Sequence, residues 1–153
     1  MYGYNYEPAP TTFFRVEDRS SCARLIDGLG IVARGQTSCT WNHAATVELV
    51  QSHLDWQSRT PSPLISVYSD MERAQQEADR RVDAGRHEVV IWEIETSVGQ
   101  RTGSRAYYRN LRRYRERHDF WIPKFAWNMS EFEWLFLNVI PEDMVVESWE
   151  PPM

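Results

Sequence analysis

The chain is nearly free of lysine: of its 17 basic residues only Lys124 is not arginine. Its cationic surface is therefore built from planar forks suited to carboxylate and phosphate, rather than from flexible point charges. Cysteine is equally scarce. Cys22 and Cys39 have no Cys-x2-Cys or histidine spacing, which excludes a zinc site and a disulfide scaffold, so ordinary buried thiols are expected. His43, His53, His87 and His118 show no metal spacing either, so the expectation is core or surface histidines and no bound metal. Gly and Pro together number 15 of 153 residues, against 42% hydrophobic, 25% charged and 13% aromatic, which excludes disorder and low complexity as the main state. No apolar run approaches the ~20 residues of a membrane span; the longest cover 89–92 and 134–137. The opening Met1-Tyr-Gly-Tyr-Asn-Tyr-Glu-Pro-Ala-Pro has neither a basic nor an apolar leader region. Together these predict a cytoplasmic protein without a membrane partner. Gly-x-Gly-x-x-Gly, Walker and Gly-x-Ser-x-Gly motifs are missing, which removes the usual supports for Rossmann redox chemistry, phosphoryl transfer and serine hydrolysis.

What is present is one packed domain. A chain of this length buries roughly 70% of its unfolded surface. Residues 1–11, with Pro8 and Pro10, read as an extended lead-in, and 12–150 as a single domain. Strands are expected at 12–16, 31–33, 64–68, 88–96, 133–139 and 144–150. Helices are expected over 42–56, capped by Asn42, and from the Ser69-Asp70 cap to Gly85, with Met71, Ala74, Ala78 and Val82 as one stripe. Residues 100–119 read as polar, Arg-rich and helical in part. Strands at both ends with helices between predict an α+β fold with a mainly antiparallel, split sheet.

Three places break local rules. Arg15 interrupts the apolar strand Phe13-Phe14-Arg15-Val16; it either points to water or presents a rigid fork to a phosphate or carboxylate. Ser66 places a hydroxyl inside Leu64-Ile65-Ser66-Val67-Tyr68 with no capping duty. Glu131 and Glu133 stand two apart at the mouth of a strand. If that segment is extended they share a face, repel, and one pKa rises into the range useful for proton transfer.

Taken in order, this Arg, Ser and Glu-x-Glu layout resembles the R-S-E ADP-ribosyltransferases of enterotoxin type. Glu131-Phe-Glu133-Trp-Leu-Phe-Leu-Asn-Val-Ile-Pro141 is similar to their Glu-x-Glu strand, Phe14-Arg15-Val16 to their Phe-Arg-Ala, and Ile65-Ser66-Val67-Tyr68 stands where they have Ser-Thr-Ser. The chain also resembles an uncharacterised fungal domain with Phe-Arg-Val, His-Leu-x-Trp (His53-Leu54-Asp55-Trp56), a Ser-rich strand and Glu-Trp-Leu. The resemblance implies that NAD is the donor substrate, contacted by Arg15, Ser66 and Tyr68. It implies that Glu133 binds the nicotinamide ribose, that Ser66 steadies Glu133, and that Glu131 activates a small-molecule or protein acceptor.

The second signal is charge. Residues 101–118 carry Arg101, Arg105, Arg109, Arg112, Arg113, Arg115 and Arg117 against Glu116 alone, a local +6 in a chain of net −5. Tyr107, Tyr108 and Tyr114 interleave with them; forks suit phosphate and rings suit unpaired bases. Arg105, Arg109, Arg112, Arg113, Arg115 and Arg117 are therefore candidate nucleic-acid contacts, expected beside the Glu pair. Two other functions remain open. One is a fungal aminoacyl-tRNA-dependent cyclodipeptide synthase of secondary metabolism, gripping tRNA with the strip, doing acid/base work with the glutamates and needing no NAD. The other is a non-catalytic binding module that uses the aromatics of 106–127 as an interface.

Overall fold

The computed structural model describes residues 9–55 and 57–151. Most of the lead-in and Trp56, the last residue of the expected first helix, lie outside them. Nine strands and five α-helices follow in chain order. They are β1 (Thr12–Glu17), β2 (Arg24–Ile26), β3 (Gly30–Val32), α1 (Thr46–Leu54), β4 (Leu64–Tyr68), α2 (Met71–Asp83) and β5 (Val90–Glu95). After these come α3 (Gly99–Thr102), β6 (Tyr108–Asn110), α4 (Leu111–His118), α5 (Lys124–Met129), β7 (Glu133–Leu137), β8 (Val139–Pro141) and β9 (Val145–Trp149). The fold is α+β. A six-stranded sheet runs β6-β7-β4-β1-β5-β9, a three-stranded one β2-β3-β8, and every pairing is antiparallel. Among the described residues no helix is long and apolar enough to cross a membrane.

Strand alternation sorts the core into layers. Phe13, Ile65, Val67, Ile94, Trp134 and Phe136 pack inward against Ile31 and Ile140 of the small sheet. On the outer face, α1, α4 and α5 cover Leu64, Leu135 and Leu137. Separately, α2 lays Ala74 and Ala78 on Val16 and Ile91, with Phe14 and Tyr68 at the border. The outer face is thus covered by two helical groups with a gap between them. The large sheet is also split. β1 pairs with β5 over six residues and β4 with β7 over five, but β1 and β4 share only the Phe14–Tyr68 pair.

Several expectations shift for local reasons. Asn42 does not cap α1, which starts at Thr46; Thr40 and His43 first build a turn in which the Thr46 hydroxyl donates to the Thr40 carbonyl. Asn138 takes a left-handed φ of 65° and bonds Thr37 at its N–H and carbonyl, so the expected strand 133–139 breaks and Val139–Pro141 joins the other sheet. Glu88, also left-handed, delays β5 to Val90. A strand, β6, lies inside the Arg-rich stretch. The cysteines are free but not buried: Cys22 is exposed and Cys39 half-buried. Asp70 caps α2 as expected, accepting from the Glu72 N–H.

Gly30 closes the small sheet. Its φ is 119°, and a Cβ there would sit 2.0 Å from the Ile140 carbonyl oxygen and 2.6 Å from the Glu142 nitrogen. Both obstacles are backbone and cannot rotate away. Gly30→Ala is expected to lower stability by at least about 2 kcal/mol, read as a lower urea midpoint at unchanged slope.

Candidate active site

The gap on the outer face is where the polar residues of neighbouring strands meet. Leu64, Ser66 and Tyr68 alternate onto this face of β4, and Glu133, Leu135 and Leu137 onto the same face of β7, with Tyr68 in register with Glu133 and Ser66 with Leu135. The helices cover the leucines. Ser66 and Glu133 fall between the two groups, in a cleft of roughly 630 Å³ whose walls include His53, Arg73, Glu77, Arg81, Phe125 and Met129.

Arg15 reaches this cleft through the split. It leaves β1 on the inner side with Phe13, and its guanidinium donates to the Ser66 carbonyl at 3.0 Å and the Ala23 carbonyl at 3.1 Å. Only 8% exposed, it forms no ion pair among the described residues, and its buried Nε–H has no acceptor. Loss of water and the neighbouring Arg81 cation pull its pKa down to about 10, so it remains a cation at neutral pH. A buried cation without a contacting carboxylate is a standing attraction for an anionic ligand.

Glu133 is 8% exposed and accepts a hydrogen bond from the Ser66 hydroxyl at 2.9 Å on Oε2. Burial raises its pKa to about 7, with Glu77 adding to the rise; the Ser66 bond and the Arg15 charge oppose it without prevailing. The premise of a repelling Glu-x-Glu pair therefore needs correction. Glu131 sits in the turn before β7, its side chain 63% exposed and 3.7 Å from Arg112, and does not line the cleft. The neighbouring acid is Glu77. It stays ionised: burial pushes it up, but the forks of Arg80 and Arg81 hold it below the ordinary value.

Behind Ser66 stands His53 of α1, a residue whose sequence context predicts only a plain core or surface histidine. Its Nε2 lies 2.7 Å from the Ser66 hydroxyl and its Nδ1 2.7 Å from the Ser62 hydroxyl. Desolvation first, and Arg15 second, pull its pKa down to about 4, so the ring is neutral at pH 7. The only sequence signal for it was the His-Leu-x-Trp likeness, since its partners come from the turn before β4 and from β4 itself. The phenol of Tyr68 is pushed up, by burial first and then by Glu133 and Glu77, and stays protonated. Among the described residues no three His, Cys, Asp or Glu side chains gather as a metal cluster.

The Arg strip divides. Arg112 is tied down by bonds to the Ser130 hydroxyl and Trp127 carbonyl, and Arg115 by one to the Phe120 carbonyl; both guanidiniums lie over the Trp127 ring, at 4.4 and 5.2 Å. Arg101 and Arg105 are exposed, outside both the cleft and the second groove. Arg109, Arg113 and Arg117 line that groove, roughly 690 Å³, with Trp41, Tyr107 and Tyr114. The groove shares no lining residue with the cleft. The two touch β7 at Trp134 and Glu133, consecutive residues whose side chains leave opposite faces. The expected placement of the strip beside the glutamate pair holds only at Arg112, near Glu131, and is corrected for Glu133: none of the strip lines that cleft, and Arg109, Arg113 and Arg117 border a groove of their own.

A carboxyl whose folded pKa stands above its ordinary 4.5 favours folding fully below that value and loses the advantage as pH rises through about 7. Glu133→Gln mimics the protonated form. It is expected to match the wild type in stability near pH 4.5 and to exceed it by up to roughly 3 kcal/mol at pH 8.5, measured by urea unfolding at both values.

Comparison with known proteins places this geometry in a family. No curated protein matches the sequence. The solved structure of EcPltA superposes with a TM-score of 0.56 over 93% of this chain and 76% of that one, at 11% identity, a likeness of fold. Residues 8–152 match the model of the family described as a domain of unknown function, DUF7587. The chain belongs to the DUF7587 family.

Proposed function

We propose that the protein is a transferase that moves ADP-ribose from NAD to a nucleophilic acceptor in the cleft around Glu133. One observation carries this reading: Arg15, Ser66 and Glu133, from the adjacent strands β1, β4 and β7, converge on one cleft, with Glu133 clamped by Ser66. That is the arrangement the R-S-E resemblance implies. The lining suits a dinucleotide with a charged pyrophosphate. Arg15, Arg73, Arg80 and Arg81 are four cations against Glu77 and Glu133, the volume lies within the usual range for ligand pockets, and Arg15 has an unmet donor.

In this reaction the bond between the ribose carbon and the nicotinamide nitrogen breaks, neutral nicotinamide leaves, and positive charge develops on the ribose. With Oε2 taken by Ser66, Glu133 has Oε1 to accept from a ribose hydroxyl, and its ionised form stabilises the developing charge at close range in a dry site. A pKa near 7 leaves the carboxylate well populated at neutral pH. The acceptor replaces nicotinamide on the ribose carbon and gives up a proton. Glu131, exposed in the turn before β7, would take that proton from an acceptor arriving from outside.

Nicotinamide release from NAD, with water or added acceptor, is the direct assay. Wild-type protein is expected to turn over, and Glu133→Gln to lose at least about 10²-fold in kcat. No release by the wild type removes the reading.

The aminoacyl-tRNA-dependent synthase is a second reading, favoured by a groove in which Arg109, Arg113 and Arg117 stand among aromatics with no acid among the described lining residues. Among the described residues the Arg113 and Arg117 guanidiniums have no ion-pair partner. The double variant Arg113→Glu/Arg117→Glu leaves the anchored Arg112 and Arg115 intact. On this reading it weakens tRNA binding at least about tenfold at low salt and flattens the salt dependence, while NAD cleavage is unchanged. Filter binding at two salt concentrations reads both effects.

A further inference from the structure

Ser62 and His53 extend the Ser66–Glu133 pair into one unbroken chain of polar side chains, and transfer of ADP-ribose does not itself require that extension. The contacts are 2.7 Å from Ser62 Oγ to His53 Nδ1, 2.7 Å from His53 Nε2 to Ser66 Oγ, and 2.9 Å from Ser66 Oγ to Glu133 Oε2. The chain begins at a half-buried serine in the turn before β4, passes through His53 of α1 on the outer face of that strand and ends on the carboxyl in the cleft.

Counting protons fixes its direction. With Glu133 ionised, the single Ser66 proton points at Oε2. Ser66 Oγ must then accept from His53, so the neutral ring carries its proton on Nε2. Nδ1, left bare, accepts from the Ser62 hydroxyl, whose oxygen already accepts from the Leu64 N–H. With Glu133 protonated on Oε2 every arrow reverses: Glu133 donates to Ser66, Ser66 to Nε2, and the ring holds its proton on Nδ1, facing Ser62.

We propose that His53 is a positioning residue for Glu133, and that its ring proton changes nitrogen as Glu133 gains or loses its own, so that the chain passes a proton between the cleft and Ser62. In the direction of proton loss, the Oε2 proton moves to Ser66 Oγ, the Ser66 proton to Nε2, and the Nδ1 proton out through Ser62 to water. One proton leaves Glu133, one reaches solvent, and no ring charge persists. The surroundings favour such a relay over a charged imidazole. Burial and Arg15 from β1 oppose a charged ring, and the cleft lining also holds Arg73, Arg80, Arg81 and Glu77 from α2 and the protonated Tyr68 of β4. α5 brings only Phe125, Ala126 and Met129 to the cleft lining, none of them titratable.

The chemical use of the chain rests on the transferase reading, whereas the tautomer change does not. The test is therefore nitrogen NMR of the His53 ring in labelled full-length protein, assigned against His53→Gln, between pH 5.5 and 8.5. The expected result is a neutral ring throughout, with its proton on Nδ1 at the low end and on Nε2 at the high end. In Glu133→Gln the ring should keep one form across the range. A ring that holds one tautomer in the wild type, or a crossing that survives Glu133→Gln, overturns the proposal whether or not the protein cleaves NAD. Where NAD is cleaved, His53→Phe should shift the pH profile of kcat at nearly unchanged KM and His53→Gln should restore part of it. A variant that fails to fold leaves the wild-type spectra to decide.

Discussion

The guanidinium of Arg15 lies in an opening that the sheet would otherwise have to close, and most of the site follows from that placement. A backbone carbonyl buried without a partner is costly, and the Ser66 carbonyl faces the stretch where β1 and β4 no longer pair. Arg15 satisfies that carbonyl and, through its other terminal nitrogen, the Ala23 carbonyl near the small sheet. One side chain therefore joins both halves of the split sheet to the segment leading into β2. The arrangement is stable only while the cation is compensated. With no carboxylate in contact among the described residues, compensation comes from the charges of Glu17 and Asp18 and the dipoles of two carbonyls.

The same geometry explains why one carboxyl is held half-ionised at neutral pH. Two helical groups cover the apolar outer positions of β4 and β7 and leave Glu133 under neither. It is removed from water by its neighbours rather than by a lid, so its pKa rises although a hydroxyl and a cation both favour the charged form. Burial wins because, among the described residues, one hydrogen bond reaches the carboxylate, where two or three would be needed to hold it down. His53 then has no charge to share and serves as a neutral link. Arg15, Ser66, His53 and Glu133 are thus electrically coupled, and a substitution at any of them changes the proton balance of the others.

The sequence made the regular parts of this legible and left the junctions hidden. β4 and α2 were readable in position and type, because a short apolar run between a Pro turn and a helix cap, and a capped three-and-four periodicity, each point to one element. Arg15 and Ser66 stood out because each interrupts an otherwise apolar strand. β6 was unreadable, as three residues inside an Arg-rich stretch become a strand only through pairing with β7. Asn138 looked like a strand residue until its amide found Thr37, 101 positions away in the chain. His53 failed to register because an isolated histidine on a short helix carries no pattern, and Glu131 misled because the strand starts two residues later than an extended reading assumes.

The electrostatics of the cleft therefore come from an unexpected element. The concentration of arginine in 101–118 suggested that these residues serve the glutamates, yet none of them lines the cleft. Two, Arg112 and Arg115, hold α4 to Trp127 and to the backbone ahead of α5, with planar cations used as packing surfaces. Besides Arg15, the cations that line the cleft with Glu133 are Arg73, Arg80 and Arg81 of α2, a helix whose acidic and basic residues nearly cancel in sequence and so attract no notice. Spacing resolves this: residues 73, 77, 80 and 81 recur at three and four along one helical face, so that face presents three arginines around Glu77 to the cleft. A phosphate-bearing ligand in the cleft would be gripped by α2. The strip's unpaired arginines, on the other side of β7, remain available to a different ligand without competing for the first.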